Sequence, residues 1–338
     1  MTNKFGLSRN IPEDVKREIR RRSQFGCVVC RCAFYQYEHI DPEFHEAHEH
    51  DPIRMCLLCG HCHDKVTRGA LSKSTVRRRY EEIQEKRDLG RPFDQFDLEH
   101  DNITVTLGSC IFKNAKSLIV LNDEVVLAIE PPEDQSAFPV LSGYFSDSDG
   151  NELMRIERNE WIGPSVAWDM EIRGNEIFIR SAPETIALHL RVAPPNAIEV
   201  VKLNMRVGNS HLVLRGNLLS VGRISAEAEY YVGIERLECA GAEVGVSVVE
   251  KGIAIPRMEG FTIVGGEGIE LKGTGIKLAV GAGYSIVRGV VIEEATKKLS
   301  VNNSILPSRA ACDAARERDD GGEKTGSEKT SGLVGGDR

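Results

Sequence analysis

Cys27-Val-Val-Cys30 and Leu58-Cys-Gly-His-Cys-His-Asp-Lys-Val-Thr67 decide how this chain is read. They contain two Cys-x-x-Cys pairs, Cys27/Cys30 and Cys59/Cys62, separated by 28 residues. Each pair makes a knuckle whose thiolates point to one side, and two knuckles complete a tetrahedral Zn(II) site. Cys56-Leu-Leu-Cys59 has the same spacing, and Cys32 lies nearby. Gly60 permits the tight backbone of a knuckle, whereas Leu57 and Leu58 read as strand residues. Cys59 and Cys62 are therefore the favoured second pair, and Cys32 and Cys56 read as small buried residues. Six of the nine cysteines fall between positions 27 and 62. Among interleaved histidines, such clustering points to metal rather than to disulfides.

Upstream, Pro12-Glu-Asp-Val-Lys-Arg-Glu-Ile-Arg-Arg-Arg opens like a helix, with acids first and bases last, and Gly26 is expected to stop it. Between the cysteine pairs lie short extended segments carrying Phe34, Tyr35 and Tyr37, then a His-rich loop from Pro42 to Asp51. A second short apolar stretch, Ile53 to Leu58, follows. Downstream, Ser72 caps a predicted helix with Val76, Tyr80 and Ile83 on one face. Gly90-Arg-Pro92 closes a first module over residues 1–92.

Residues from about 10 to 90 resemble the HNH endonuclease family with a zinc-bound ββα-metal core, which is treble-clef-like. The residues that carry the resemblance are Cys27-x-x-Cys30, Tyr37-Glu-His-Ile-Asp-Pro42 and Leu58–Thr67. Position by position, the resemblance implies that Glu38 and His63 hold a divalent ion, Mg(II) or Mn(II), and that His39 deprotonates the attacking water. Such an ion stabilises charge on the scissile phosphate, and imidazole takes a proton at neutral pH. The four-cysteine zinc is closed and structural. The implied activity is hydrolysis of nucleic-acid phosphodiester bonds, with DNA as the expected substrate. The alternative is a zinc module that binds nucleic acid without cutting it. The chain departs from the family at Arg54, where an asparagine that orients the general base is expected. Arg54 can meet a phosphate, but it has no acceptor for an imidazole N–H. Another group, such as a backbone carbonyl, must then set the tautomer of His39.

The net charge of −8 hides an asymmetry. Residues 1–100 hold 18 Lys and Arg against 17 Asp and Glu, leaving 25 against 34 of the totals of 43 and 51. Residues 1–31 hold eight bases and three acids, so a local basic face suits phosphates. Arg20–Arg22 and Arg77–Arg79 are either phosphate contacts or solvated helix faces. His45, His48 and His50 read as a solvated loop, with extension of the metal site as the alternative. Trp161 and Trp168 read as packing residues. Asp41 is either a carboxylate behind the site or a turn residue.

From about Asp97 the pattern alternates. Ile103–Leu107, Ser117–Leu121, Val125–Ile129 and Ile177–Arg180 read as strands, with turns at Asp147–Asn151 and Arg173–Asn175. We expect an α+β chain. After the zinc module comes an all-β sandwich or solenoid-like region, made of an antiparallel β domain over 97–207 and a second Gly-rich β domain over 208–306, and then a disordered tail over 307–338. These regions show no catalytic cluster and suit recognition, homo-oligomerisation or control of the nuclease. No apolar run approaches the roughly 18–20 residues of a membrane span, and the N-terminus has no apolar core. A cytoplasmic protein is expected.

Overall fold

The computed structural model describes residues 2–85, 90–122, 124–134 and 137–224, then 229–235, 237–241, 244–249 and a series of short strands between 252 and 305. The tail expected at 307–338 lies outside the described residues. The chain is α+β, with most of its regular structure in three sheets and few helices. No helix among the described residues is long and apolar enough to cross a membrane.

Among the described residues the helices all lie in the first 85: α1 (Glu13–Arg22), α2 (Gly60–Thr67) and α3 (Lys73–Gln84). In α1, Glu13 and Asp14 occupy the first turn and Arg20–Arg22 the last, each matched to the helix dipole. It ends before Gly26, because Gln24 and Phe25 themselves take the left-handed conformation at φ 50° and 63°. Gly26 serves another need, since a Cβ there would meet the Arg31 carbonyl oxygen at 2.9 Å and Pro92 at 3.1 Å. β1 (Gln36–His39) and β2 (Met55–Leu58) form a two-stranded antiparallel sheet with Glu38 opposite Cys56 and His39 opposite Met55. Ser72 caps α3 by accepting from the Thr75 N–H, and Val76, Tyr80 and Ile83 are buried on its inner face. They pack with Cys27, Val28, Ile40, Cys56, Leu58, Cys59 and Cys62 in a small core.

The rest of the described residues form a β body. It begins with β3 (Phe93–Gln95), β4 (Thr104–Leu107), β5 (Cys110–Lys113), β6 (Ser117–Leu121) and β7 (Glu124–Glu130). β8 (Val140–Ser146), β9 (Glu152–Glu157), β10 (Glu160–Ile162), β11 (Asp169–Arg173) and β12 (Glu176–Ala182) follow. Then come β13 (Thr185–Ala193), β14 (Ala197–Val207), β15 (Ser210–Arg215), β16 (Leu218–Ile224), β17 (Glu229–Glu235), β18 (Glu238–Ala240) and β19 (Val244–Val249). An eleven-stranded sheet contains the order β19-β6-β7-β8-β9-β10-β3. A fourteen-stranded sheet contains β18-β5-β4-β14-β15-β16-β17, with β11, β12 and β13 joined through β14.

These sheets are mixed, which corrects the expectation of an antiparallel domain. β4 runs parallel to β14, β5 to β18 and β6 to β19. Alternation and turn residues encode hairpins, whereas parallel partners come from distant parts of the chain and leave no local mark. The division expected at 207/208 falls inside the β14–β15 hairpin, where Val207 pairs with Ser210. A single hydrophobic core runs from Phe96 to Val248 and takes in Phe25 and Ala33 of the zinc module. Trp161 is buried in it, stacked on Phe96.

A charged seam joins α1 to β11 and β12. Arg20 donates from Nε to Asp169 Oδ1 at 2.9 Å and from Nη2 to Oδ2 at 2.7 Å, with both side chains 3% exposed. Its Nη1 donates to the Tyr37 hydroxyl at 2.8 Å and lies 3.6 Å from Glu171. Arg180 stands 3.4 Å from Asp169, and Arg173 pairs with Glu171 at 2.7 Å. Arg17 lies over the Trp168 ring at 3.6 Å. Bidentate geometry in a dry seam makes each charge depend on the others. Asp169→Ala strands the Arg20 guanidinium and is expected to destabilise the protein by about 3–5 kcal/mol. The exposed Arg21–Glu18 pair on the same helix is worth under about 1 kcal/mol, so Arg21→Ala is nearly neutral. Chemical denaturation of the two variants measures the contrast.

Candidate metal centre and adjacent histidine site

The sulfurs of Cys27, Cys30, Cys59 and Cys62 lie within 4.8 Å of one another, and this is the only such cluster of three or more metal-ligating side chains among the described residues. Cys30 and Cys59 sulfurs are 3.6 Å apart. Four thiolates bound at about 2.3 Å to one tetrahedral zinc stand about 3.8 Å apart, so the donor set fits. The first knuckle turns on Arg31, in the left-handed conformation at φ 68°, with its N–H on the Cys27 carbonyl at 2.9 Å. The second is built on a helix terminus: Cys59 precedes α2, and its Sγ accepts the Cys62 N–H at 3.3 Å.

The thiol chemistry asks for a cation. Burial pushes Cys30 up to about 11, reinforced by Cys27 and Cys59. Cys62 is also pushed up, by burial first and then by Cys27. Cys59 is lowered because, against burial, the Cys62 N–H and the neighbouring thiols support its negative charge. Each further thiolate in this cluster is opposed by its neighbours, so holding four of them together calls for a dication. Cys56, fully buried on β2, is outside the cluster, and Cys32 lies 3.3 Å from Asp94 Oδ2.

Glu38 leaves β1 toward α2 and α3. Its Oε2 is 3.2 Å from His63 Nε2, and its Oε1 accepts from Lys73 Nζ at 2.9 Å. Ligands at about 2.1 Å on adjacent octahedral positions stand about 3.0 Å apart, so Glu38 and His63 are spaced as two ligands of one ion. Lys73 also donates to the His39 carbonyl at 2.9 Å, which ties the end of β1 to the start of α3. Nothing in the sequence marked Lys73, since its partner is 35 residues away.

His39 is 7% exposed. Its Nε2 lies 3.2 Å from His50 Nδ1, and His50 Nε2 lies 2.8 Å from the Ser8 carbonyl. Burial, then His50, pushes His39 down to about 4, against an upward pull from Glu38. The imidazole is therefore neutral at pH 7. The expectation of a solvated loop fails at His50, which is held by the N-terminal arm. Asn3 Nδ2 donates to the Phe44 and Ala47 carbonyls at 2.6 and 2.7 Å. Phe5 stacks on His48, and Arg9 lies over Phe44. His45 is exposed beside Glu43 and Glu46.

Arg54 is exposed and sits 3.4 Å from Asp51, while its carbonyl accepts the Ile40 N–H at 2.9 Å. Asp41 is exposed and pairs with Arg77 at 2.6 Å. The basic N-terminal stretch is mostly internal wiring. Arg20 and Arg31 are buried, and Arg31 donates to the carbonyls of Ser23, Gln24, Cys27 and Gly90. Arg22 donates to the Tyr80 hydroxyl at 2.7 Å. Among the described residues, Arg9, Lys65 and Arg78 are exposed and have no carboxylate partner. No protein-family model, curated protein or solved structure matches this chain.

Zinc is expected at one ion per chain by elemental analysis. Cys59→Ser and Cys62→Ser each lose it, whereas Cys32→Ser and Cys56→Ser retain it. Chelation unfolds residues 1–85, whose small core is built on the ligands, and circular dichroism reports the loss.

Proposed function

We propose that the N-terminal module is a metal-dependent nuclease of the HNH type, with a zinc-stapled ββα-metal core, acting on DNA. The observation that carries this reading is the Glu38–His63 pair at 3.2 Å, beside a buried neutral His39 at the same end of β1. Glu38 and His63 would hold Mg(II) or Mn(II), which supplies charge stabilisation at the scissile phosphate. His39 takes the proton of the attacking water, since its depressed basicity leaves it unprotonated at neutral pH. Lys73 pairs with Glu38, and its ammonium would be close enough to a phosphate held there to meet its charge. Arg9, Lys65, Arg78 and Arg54 are the cations available to the DNA backbone. The β body, bound to α1 through Asp169, serves as the recognition or regulatory part.

Lys73 on Glu38 also favours a second reading, a zinc module that binds DNA without cutting it. Plasmid DNA incubated with the full chain and Mg(II) or Mn(II) decides between them. Cleavage that falls by roughly a hundredfold or more in His39→Ala, with DNA affinity kept, supports the nuclease. Glu38→Ala and His63→Ala are expected to need higher metal concentrations. Salt-dependent binding without cleavage by the wild-type chain selects the second reading.

A further inference from the structure

We infer that His50 is a positioning residue for His39: anchored by the N-terminal arm, it holds His39 in the Nε2–H tautomer and leaves Nδ1 as the basic nitrogen. The inference rests on the nuclease reading only for its consequence in catalysis. The tautomer itself follows from donor and acceptor chemistry.

The Ser8 carbonyl can only accept, so the 2.8 Å contact requires a proton on His50 Nε2. A neutral His50 then presents a bare Nδ1, an acceptor. Against that acceptor, the 3.2 Å contact to His39 Nε2 is a hydrogen bond when His39 donates from that atom. The proton of a neutral His39 is therefore on Nε2 and the lone pair on Nδ1. Among the described residues no hydrogen bond is made by Nδ1, so it is the nitrogen left for water. The order of contacts is Ser8 carbonyl, His50, His39, and each link fixes the next.

The arm that supplies Ser8 is itself fastened. Asn3 holds the Phe44 and Ala47 carbonyls, Lys4 pairs with Glu46 at 2.7 Å, and Arg9 covers Phe44. The Phe44 ring lies 5.7 Å from His39 and 6.3 Å from His50, so it packs beside both. The groups facing the His39–His50 pair are thus Lys73 at the His39 carbonyl, Glu38 on the same strand, Arg9 across Phe44 and the Ser8 carbonyl. This arrangement does the work for which Arg54, lacking an acceptor and turned toward Asp51, is unsuited.

The test is ¹⁵N NMR of histidine-labelled full-length protein, with the His39 signals assigned from their loss in His39→Ala. The nine histidines keep the spectrum tractable. Long-range ¹H–¹⁵N correlations distinguish the two neutral tautomers. In the wild type, His39 is expected to show a protonated Nε2 and a bare Nδ1. His50→Ala loses the preference, and His50→Asn restores it, because the Asn side-chain oxygen stands where histidine Nδ1 stood. In parallel, His50→Ala is expected to lower kcat for plasmid cleavage by roughly 10- to 100-fold with DNA affinity unchanged, and His50→Asn to recover much of it. Zinc content and melting temperature of His50→Ala report that the module is folded. An Nδ1–H tautomer in the wild type overturns the inference, as does a His39 tautomer indifferent to His50→Ala. Absence of cleavage by the wild-type chain with the expected tautomer pattern counts against the nuclease reading and leaves the His50–His39 linkage standing.

Discussion

Four thiols within 4.8 Å of one another are the constraint on which the first 85 residues depend. Left to themselves they cannot all ionise, since each thiolate raises the cost of the next in a partly buried site. A dication turns that repulsion into the strongest attraction in the module. The geometry shows why so much hangs on it. One knuckle lies between α1 and β1, and the other forms the N-terminus of α2, so a single ion held by the four thiols would tie hairpin and helix together. The surrounding apolar cluster contains about ten buried residues, four of them cysteines. A core of that size does not offset the entropy of ordering 85 residues without a staple.

The second constraint is the Arg20–Asp169 pair, which makes the module and the β body one structure rather than two tethered ones. Arg20 reaches in two directions, to the Asp169 carboxylate and to the Tyr37 hydroxyl. Tyr37 is on β1, next to Glu38. The charge network at β11 and β12 thus bears on the strand that carries the candidate ligand. Phe25 and Ala33 add apolar contacts on the same side by joining the large core.

Much of the module was legible because its determinants are local. Cysteine spacing, the Ser72 cap, the Val76–Tyr80–Ile83 face and the acid-to-base order of α1 all act within a turn or two. Cys59/Cys62 was the right pair over Cys56/Cys59, although not because of a tight backbone at Gly60, which opens α2 and has open space where a Cβ would stand. The misreadings have one cause, which is partners distant in sequence. Arg20 read as either a phosphate contact or part of a solvated helix face, yet its partner is a buried carboxylate 149 residues away. His50 looked solvated because nothing nearby in sequence reveals the N-terminal arm folding over it. The parallel pairings β4–β14, β5–β18 and β6–β19 went unread for the same reason. Residue counts in the N-terminal stretch overstated the free positive charge, since charge in a list says nothing about which guanidinium is already bound.

The end of β1 brings these strands of reasoning together. Successive strand residues turn to opposite faces, so Glu38 meets α2 and α3 while Tyr37 and His39 share the face toward α1 and the N-terminal arm. Glu38, the proposed ligand, and His39, the proposed base, are neighbouring residues on opposite faces and therefore have separate supports. Lys73 and His63 hold Glu38 from one side. His50 holds His39 from the other, and Arg20 holds Tyr37 one step along the same face. Lys73 bridges the two sides, because it also takes the His39 carbonyl. An arginine at position 54 is compatible with this design. Once a histidine from the adjacent loop sets the imidazole, the side chain at 54 has no acceptor to provide, and only its backbone carbonyl, bonded to Ile40, still serves the hairpin.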